Sequence, residues 1–232
     1  MGDEIMKENR IKTLNVTYNA SGALQAAQRG DVVVIVDIID MSTTAEAVLD
    51  AGAQRVLGAS PDNLNPPVPV NPQKIGYQAG KLAVKDSKEV IIIAEPRFAL
   101  AEKRLRRVQS VQQGLKQAGV EIGDILPNIG TQIGQFADFK NKIVIIVSHS
   151  GGAAFDTAYN HGAAKVLTGT VVRTNTKKGF KPLEEGAHRA IKAAKEQQTG
   201  ITLVAASANS YEDILAVEGL AELIIELGFL EL

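Results

Sequence analysis

The chain has 232 residues, 45% of them hydrophobic and 22% charged, and 25 Lys and Arg against 26 Asp and Glu leave a net charge of −1. That length can bury one substantial core or two small ones, and so small a charge supplies no field to attract nucleic acid or an anionic membrane. The absence of cysteine rules out disulfides, thiolate nucleophiles and thiolate-bearing zinc sites, and the three histidines, His149, His161 and His188, match no metal-binding spacing. Any metal is therefore expected to be a hard ion held by oxygen, magnesium above all.

The first residues, MGDEIMKENRIKTLNV, are charged and lack the apolar core of a signal peptide. No stretch approaches the roughly 18 apolar residues of a spanning helix, and a cytoplasmic location is the expectation. The segment LNVTYN at 14–19 reads as a short edge strand, followed by a helix near Ala20–Arg29.

Residues 31–60, DVVVIVDIIDMSTTAEAVLDAGAQRVLGAS, and residues 141–170, NKIVIIVSHSGGAAFDTAYNHGAAKVLTGT, align without a gap. Both read as buried strand, polar turn, helix and strand, with Gly52 and Gly162 closing the helices where a positive φ is commonly wanted. Between the copies, ASPDNLNPPVPVNPQK holds five of the eight prolines and reads as a surface loop or hinge. A short helix is expected at 76–86, then a buried strand in EVIIIAEPR ending in the turn Glu95-Pro96-Arg97. From Phe98 to about Gly119 the apolar spacing predicts one helix, on which Lys103, Arg104, Arg106 and Arg107 read as a solvated face. Residues 120–140 read as a loop with at most a short element.

After the second copy come a basic turn, RTNTKKG, a helix from about Pro182 to Gln198, a strand in ITLVAAS, and a last helix capped by Ser210 with Asp213 at its third position. The sum is α/β: a layered, largely parallel or mixed sheet with helices, in a single domain of two related halves, about 14–119 and 120–232.

In such sheets ligands sit at the carboxyl ends of the strands. Asp37 ends a buried strand and Asp40 follows it, a pair suited to a magnesium ion, while N–H groups around Ser42, Thr43 and Thr44 could receive a phosphate. Thr43 with Glu46 also fits a capping box, which needs no ligand. In the second copy Ser148, His149, Ser150, Gly151 and Gly152 do not form G-x-S-x-G, and the glycines are expected to let N–H groups approach an anion. Glu95 and Arg97 form a third pair, in which Arg97 could clamp a phosphate or carboxylate.

The order of these motifs resembles that of the 2-phosphosulfolactate phosphatase family over about residues 31–228. The family's Asp-Val-Leu-Arg-Ala-Ser/Thr-Thr motif is similar to Asp37-Ile38-Ile39-Asp40-Met41-Ser42-Thr43-Thr44, and its Gly-Glu-Arg turn to Ala94-Glu95-Pro96-Arg97. Its Gly-Asn-Ser-Pro segment resembles Gly130-Thr131-Gln132-Ile133, its Thr-Thr-Asn-Gly-Thr turn Ser148-His149-Ser150-Gly151-Gly152, and its closing Phe-Ser-x-Glu-Asp Asn209-Ser210-Tyr211-Glu212-Asp213. The chain departs from the family at Asp40, where the family has arginine, at Gln132-Ile133, and in the Phe98–Gly119 helix, which reads as an insertion.

The resemblance implies a magnesium-dependent enzyme that removes phosphate from 2-phosphosulfolactate in coenzyme M biosynthesis, acting on a small anionic phosphate ester, with a homodimer as the base-rate assembly. Under it Asp37, with Asp40 or Glu95, holds Mg2+. Ser42–Thr44, Ser150–Gly152 and Arg97 hold phosphoryl oxygens, and Glu212 and Asp213 are candidates to orient water, against the alternative that they cap the last helix. The charge reversal at Asp40 motivates a second expectation, a binding or assembly module without catalysis. A third is a serine hydrolase using Ser148 or Ser150 with a histidine.

Overall fold

The computed structural model describes residues 12–98, 100–121, 123 and 125–231; the charged stretch before Lys12 lies outside them. The apolar runs VVVIV, VIIIA, IVIIV and ITLVA become strands β2 (Val32–Val36), β4 (Val90–Ala94), β6 (Ile143–Val147) and β8 (Ile201–Ala205), each buried along its whole length. Continuous burial of this kind requires helices on both faces of a parallel sheet. Alternate residues of β2 serve two cores: Val33 and Ile35 join the larger one, and Val32, Val34 and Val36 join a smaller one beneath the two C-terminal helices.

The remaining strands are β1 (Leu14–Tyr18), β3 (Arg55–Ala59), β5 (Ile125–Pro127) and β7 (Lys165–Thr168). Two four-stranded sheets result, ordered β1-β8-β2-β7 and β3-β6-β4-β5, with every pairing parallel. Advancing each strand of the first sheet by four, cyclically, reproduces the second sheet read from its other end, β5-β4-β6-β3. Each half of the chain thus gives two strands to each sheet. The first copy runs from β2 in one sheet through α2 (Ser42–Asp50) to β3 in the other, and the second returns from β6 through α6 (Ser150–Asn160) to β7. Gly52 and Gly162 take φ of 94° and 104° at the matching helix ends, as their spacing requires.

Helices α1 (Asn19–Gln28), α3 (Pro72–Asp86), α7 (Lys181–Gln197) and α8 (Tyr211–Glu226) complete the covering layers. Helix α3 begins at Pro72, before the expected residue 76, because proline fits the first helical position and the Asn71 side chain accepts the Lys74 N–H at 2.9 Å. The single helix expected over Phe98–Gly119 is two, α4 (Ala101–Arg107) and α5 (Gln109–Gln117), broken where Val108 leaves helical geometry at φ −120° and ψ 12°. Val108, Val111 and Leu115 carry the buried stripe, whereas Phe98 is 92% exposed. The loop expected at 120–140 holds β5 and a 3₁₀ helix, Gly130–Gln135. Among the described residues no helix is long and apolar enough to cross a membrane.

Candidate active site

The carboxyl ends of β2, β4, β6 and β8 converge, bringing Asp37, Glu95, His149 and Asp213 into one neighbourhood from two different sheets. Asp37 is only 4% exposed. One of its oxygens accepts the Asp40 N–H at 2.9 Å and the other the Gly151 N–H at 2.6 Å, which ties the first copy's turn to the start of α6. A Cβ on Gly151 would run into that carboxylate, so only glycine permits the approach. The Gly152 N–H goes to the Ser148 hydroxyl at 2.9 Å, and a Cβ on Gly152 would meet the Ala59 carbonyl. The Gly151 N–H therefore receives the chain's own Asp37 carboxylate and the Gly152 N–H a hydroxyl, at the turn expected to receive a substrate anion.

The hydroxyls of the first turn are spent within the protein. Ser42 accepts the Asp37 N–H at 2.8 Å and donates to the Ile35 carbonyl at 3.0 Å; Thr43 donates to the Ile38 carbonyl at 2.5 Å; Thr44 donates to the Asn128 side chain at 2.5 Å. The capping box of Thr43 and Glu46 does not form, because Glu46 is fully buried and turned to Arg189 and Lys177, at 2.5 and 2.7 Å. Ser148 is 1% exposed, which leaves a serine nucleophile there without access to substrate. Ser150 stands half-buried at the first position of α6.

Like charges crowd this pocket. Burial, with the neighbouring Asp40 and Asp213 carboxylates, pushes Asp37 up to about 7 against the opposing Asp40 and Gly151 N–H bonds. Burial likewise pushes Glu95 up to about 8, helped by its hydrogen bond with Asp40 and by the charges of Asp40 and Asp37, with Arg107 opposing. Asp213 is raised by burial, although it accepts the Ile38 N–H at 2.8 Å. Its own N–H donates to the hydroxyl of Ser210, the N-cap of α8, at 3.3 Å, so the backbone of Asp213 is capped while its carboxylate holds the turn after β2. Glu212, by contrast, is exposed on the first turn of α8 and does not line the site.

Two residues that the sequence does not place at the site complete the arrangement. Arg107, expected on a solvated face, sets its guanidinium 3.0 Å from His149 Nδ1 and bonds Asn63 at 3.0 Å. Burial and Arg107 lower the His149 pKa, so its ring is neutral at pH 7; the side chain is 42% exposed, 3.5 Å from a Glu95 oxygen. Asn128, 3% exposed, bonds Thr44, the Asp40 carbonyl and the Gly130 N–H, and its own carbonyl accepts Arg97 Nε at 2.9 Å. Its only sequence signal is a lone amide in the otherwise apolar run Ile125–Ile129.

The oxygen donors Asp40 and Glu95 suit a hard divalent cation, and burial, with neighbouring carboxylates adding to it, raises both Asp37 and Glu95. Among the described residues, however, no group of three or more His, Asp or Glu side chains is arranged to hold a metal ion. No known protein-family model matches the chain, and no curated protein sequence matches it.

Proposed function

We propose that the chain is a magnesium-dependent hydrolase of a small organic phosphate monoester, centred on Asp40, Glu95 and His149. The observation that carries this reading is the convergence of Asp37, Asp40 and Glu95 at strand ends beside Arg107 and a neutral His149. Magnesium is commonly held by one or two carboxylates, with water and phosphate filling its other positions, so Asp40 and Glu95 suffice as protein ligands. When bound, the ion would offset the carboxylate charge and polarise the phosphoryl group.

The chain's own residues have separate tasks. Arg97, exposed beside the turn, and Arg107 hold phosphoryl oxygens. His149 takes the proton of the attacking water as the water oxygen bonds phosphorus and returns it to the ester oxygen as that P–O bond breaks, which its neutral state and partial exposure allow. Asp37 fixes the turn that carries Asp40 by bridging it to α6. The motif resemblance makes 2-phosphosulfolactate the first ester to examine, in a cytoplasmic and dimeric enzyme.

One observation favours a second reading, a small-ligand binding or assembly module without catalysis: the N–H groups at the start of α6 already hold Asp37 and Ser148 and are not free to receive a phosphoryl group. A screen of small phosphate esters, 2-phosphosulfolactate included, with and without magnesium, separates the two. Magnesium-dependent turnover that falls about 10²–10⁴-fold in His149→Ala and also drops in Arg97→Ala and Asp37→Asn supports the hydrolase. No turnover on any ester, or turnover indifferent to all three changes, overturns it.

A further inference from the structure

A cleft of about 390 Å³ lies away from these strand ends, between the two sheets. Strands β3 and β7 are each an outer strand of its sheet, paired on one side only among the described residues, and both line this cleft. Val56 and Leu57 of β3 and Val166 and Leu167 of β7 contribute to its wall. Leu49 at the end of α2 and Tyr159 near the end of α6 also line it, and each of these three pairings joins residues at the same position of the two copies. The cleft is thus the place where the duplicated units meet.

Its chemistry is two-sided. Tyr159 stacks on Phe155 with ring centroids 6.1 Å apart and planes inclined by 17°, which gives one wall a flat aromatic surface. The charged residues that line it are Arg55, Lys165 and Arg189, with no carboxylate among them. Arg55 and Lys165 again occupy the same position of the two copies. Arg189 is engaged with Glu46 and Lys165 with Glu196 at 3.6 Å, whereas Arg55 is exposed and, among the described residues, is paired with no carboxylate. A volume of this size suits a small molecule, and apolar walls with a few convergent polar groups are the ordinary make-up of a ligand pocket.

We infer that this cleft is a second ligand site, which takes a small organic anion with an aromatic or branched apolar body. The body lies against Phe155, Tyr159 and the Val and Leu side chains, and the anionic group is held by Arg55 and Lys165. Neither the apolar walls nor the cations alone would select such a molecule: a bare inorganic anion gains nothing from the walls, and a neutral aromatic leaves the cations without a partner.

The test uses the full chain, methyl-labelled for NMR, titrated with 3-phenylpropionate, with its neutral amide and with inorganic phosphate. Shifts of the Val56, Leu57, Val166 and Leu167 methyls are expected with the carboxylate, and affinity at least about tenfold weaker with the amide or with phosphate. The double variant Arg55→Gln/Lys165→Gln, altered at two solvent-reaching side chains, should keep the wild-type spectrum and lose about tenfold in affinity. Unmoved methyls, shifts confined to other parts of the protein, or equal binding by the amide, by phosphate or by the double variant would each overturn the assignment. No ester turnover is read, so the outcome is independent of the proposed hydrolase.

Discussion

Glu46 and Asp156 hold the same position in the two copies, are both fully buried, and each fastens the loop that follows the other copy. Glu46, on α2, takes Arg189 on both oxygens and Lys177 at 2.7 Å, and Lys177 belongs to the loop after β7. Asp156, on α6, accepts the N–H groups of Ser60 at 3.2 Å and Asn71 at 2.7 Å, the two ends of the proline-rich loop after β3. The exchange follows from the crossing of each copy between sheets, which lays α6 over β3 and α2 beside β7.

Removing either acid strands its partners in a poorly solvated place. Glu46→Ala removes the buried carboxylate shared by Arg189 and Lys177, which keep Glu185 at 3.8 and 2.6 Å, and should cost about 1.5–3 kcal/mol in urea unfolding. Asp156→Ala leaves two N–H groups unsatisfied, at about 1–3 kcal/mol each. In each variant hydrogen exchange should quicken in the loop belonging to the other copy; quickening confined to the mutated helix would contradict the exchanged clamp.

The carboxylate cluster makes stability depend on pH in a stated direction. Asp37 and Glu95 ionise near 3.8 and 4.5 in the unfolded chain but near 7 and 8 when folded. Between those values the folded state keeps protons that the unfolded state has released, so their contribution to stability falls as pH rises from about 4 and is lost by about 8. Unfolding free energies of wild type and Glu95→Gln should therefore diverge between about pH 5 and pH 8, with the variant losing less. Magnesium should raise the wild-type melting temperature more at the upper pH, because the ion takes the ionised cluster and stabilises by mass action. An equal rise at both pH values would count against binding at Glu95.

The two glycines that open α6 should respond differently to alanine. Gly152→Ala drives a methyl into the Ala59 carbonyl, backbone that cannot swing aside, and should destabilise by about 1–3 kcal/mol. Gly151→Ala meets the Asp37 side chain instead and should break its 2.6 Å bond to residue 151. With that bond broken, the Asp37 titration followed by carboxyl NMR should move above about 7. A downward shift would show that the bond does not favour the charged form.

Arg107 should be readable through His149. Its charge is one of the two causes of the lowered His149 pKa, so Arg107→Gln should move the imidazole titration upward in a ring-proton NMR series. An unchanged titration would mean that burial alone sets it. Under the proposed hydrolase the same variant should shift the acidic limb of the pH–rate profile to higher pH, since the base then protonates earlier as pH falls.

Most of the fold is written in local pattern. The Val and Ile runs, the turn residues after them and the glycines at 52 and 162 specify strand, turn and helix over a few residues each, and the gapless likeness of 31–60 to 141–170 carries the two-half organisation. The errors were local as well. Pro72 reads as a loop residue unless Asn71 is recognised as its cap, and the break at Val108 does not interrupt the apolar spacing. The candidate site was legible in Asp37, Asp40, Glu95 and His149 at strand ends and in Asp213 at the start of the last helix, because a polar residue after a buried strand or at a helix start stands out in one dimension. Arg107 and Asn128 did not, since their partners lie 42 and 84 residues away in the chain.

What the sequence determined by itself is most of the elements, a largely parallel or mixed α/β sheet and the likeness of 31–60 to 141–170, all consequences of short-range hydrophobic period and turn chemistry. Only the tertiary structure decided that each copy crosses from one sheet to the other. Strand pairing depends on which burial is mutually satisfied between segments distant in the chain, such as Val32 with Ile201 and Arg55 with Ile143, and no local period encodes that. The crossing places Asp37 against Gly151, exchanges the clamps of Glu46 and Asp156, and opens the cationic cleft between β3 and β7.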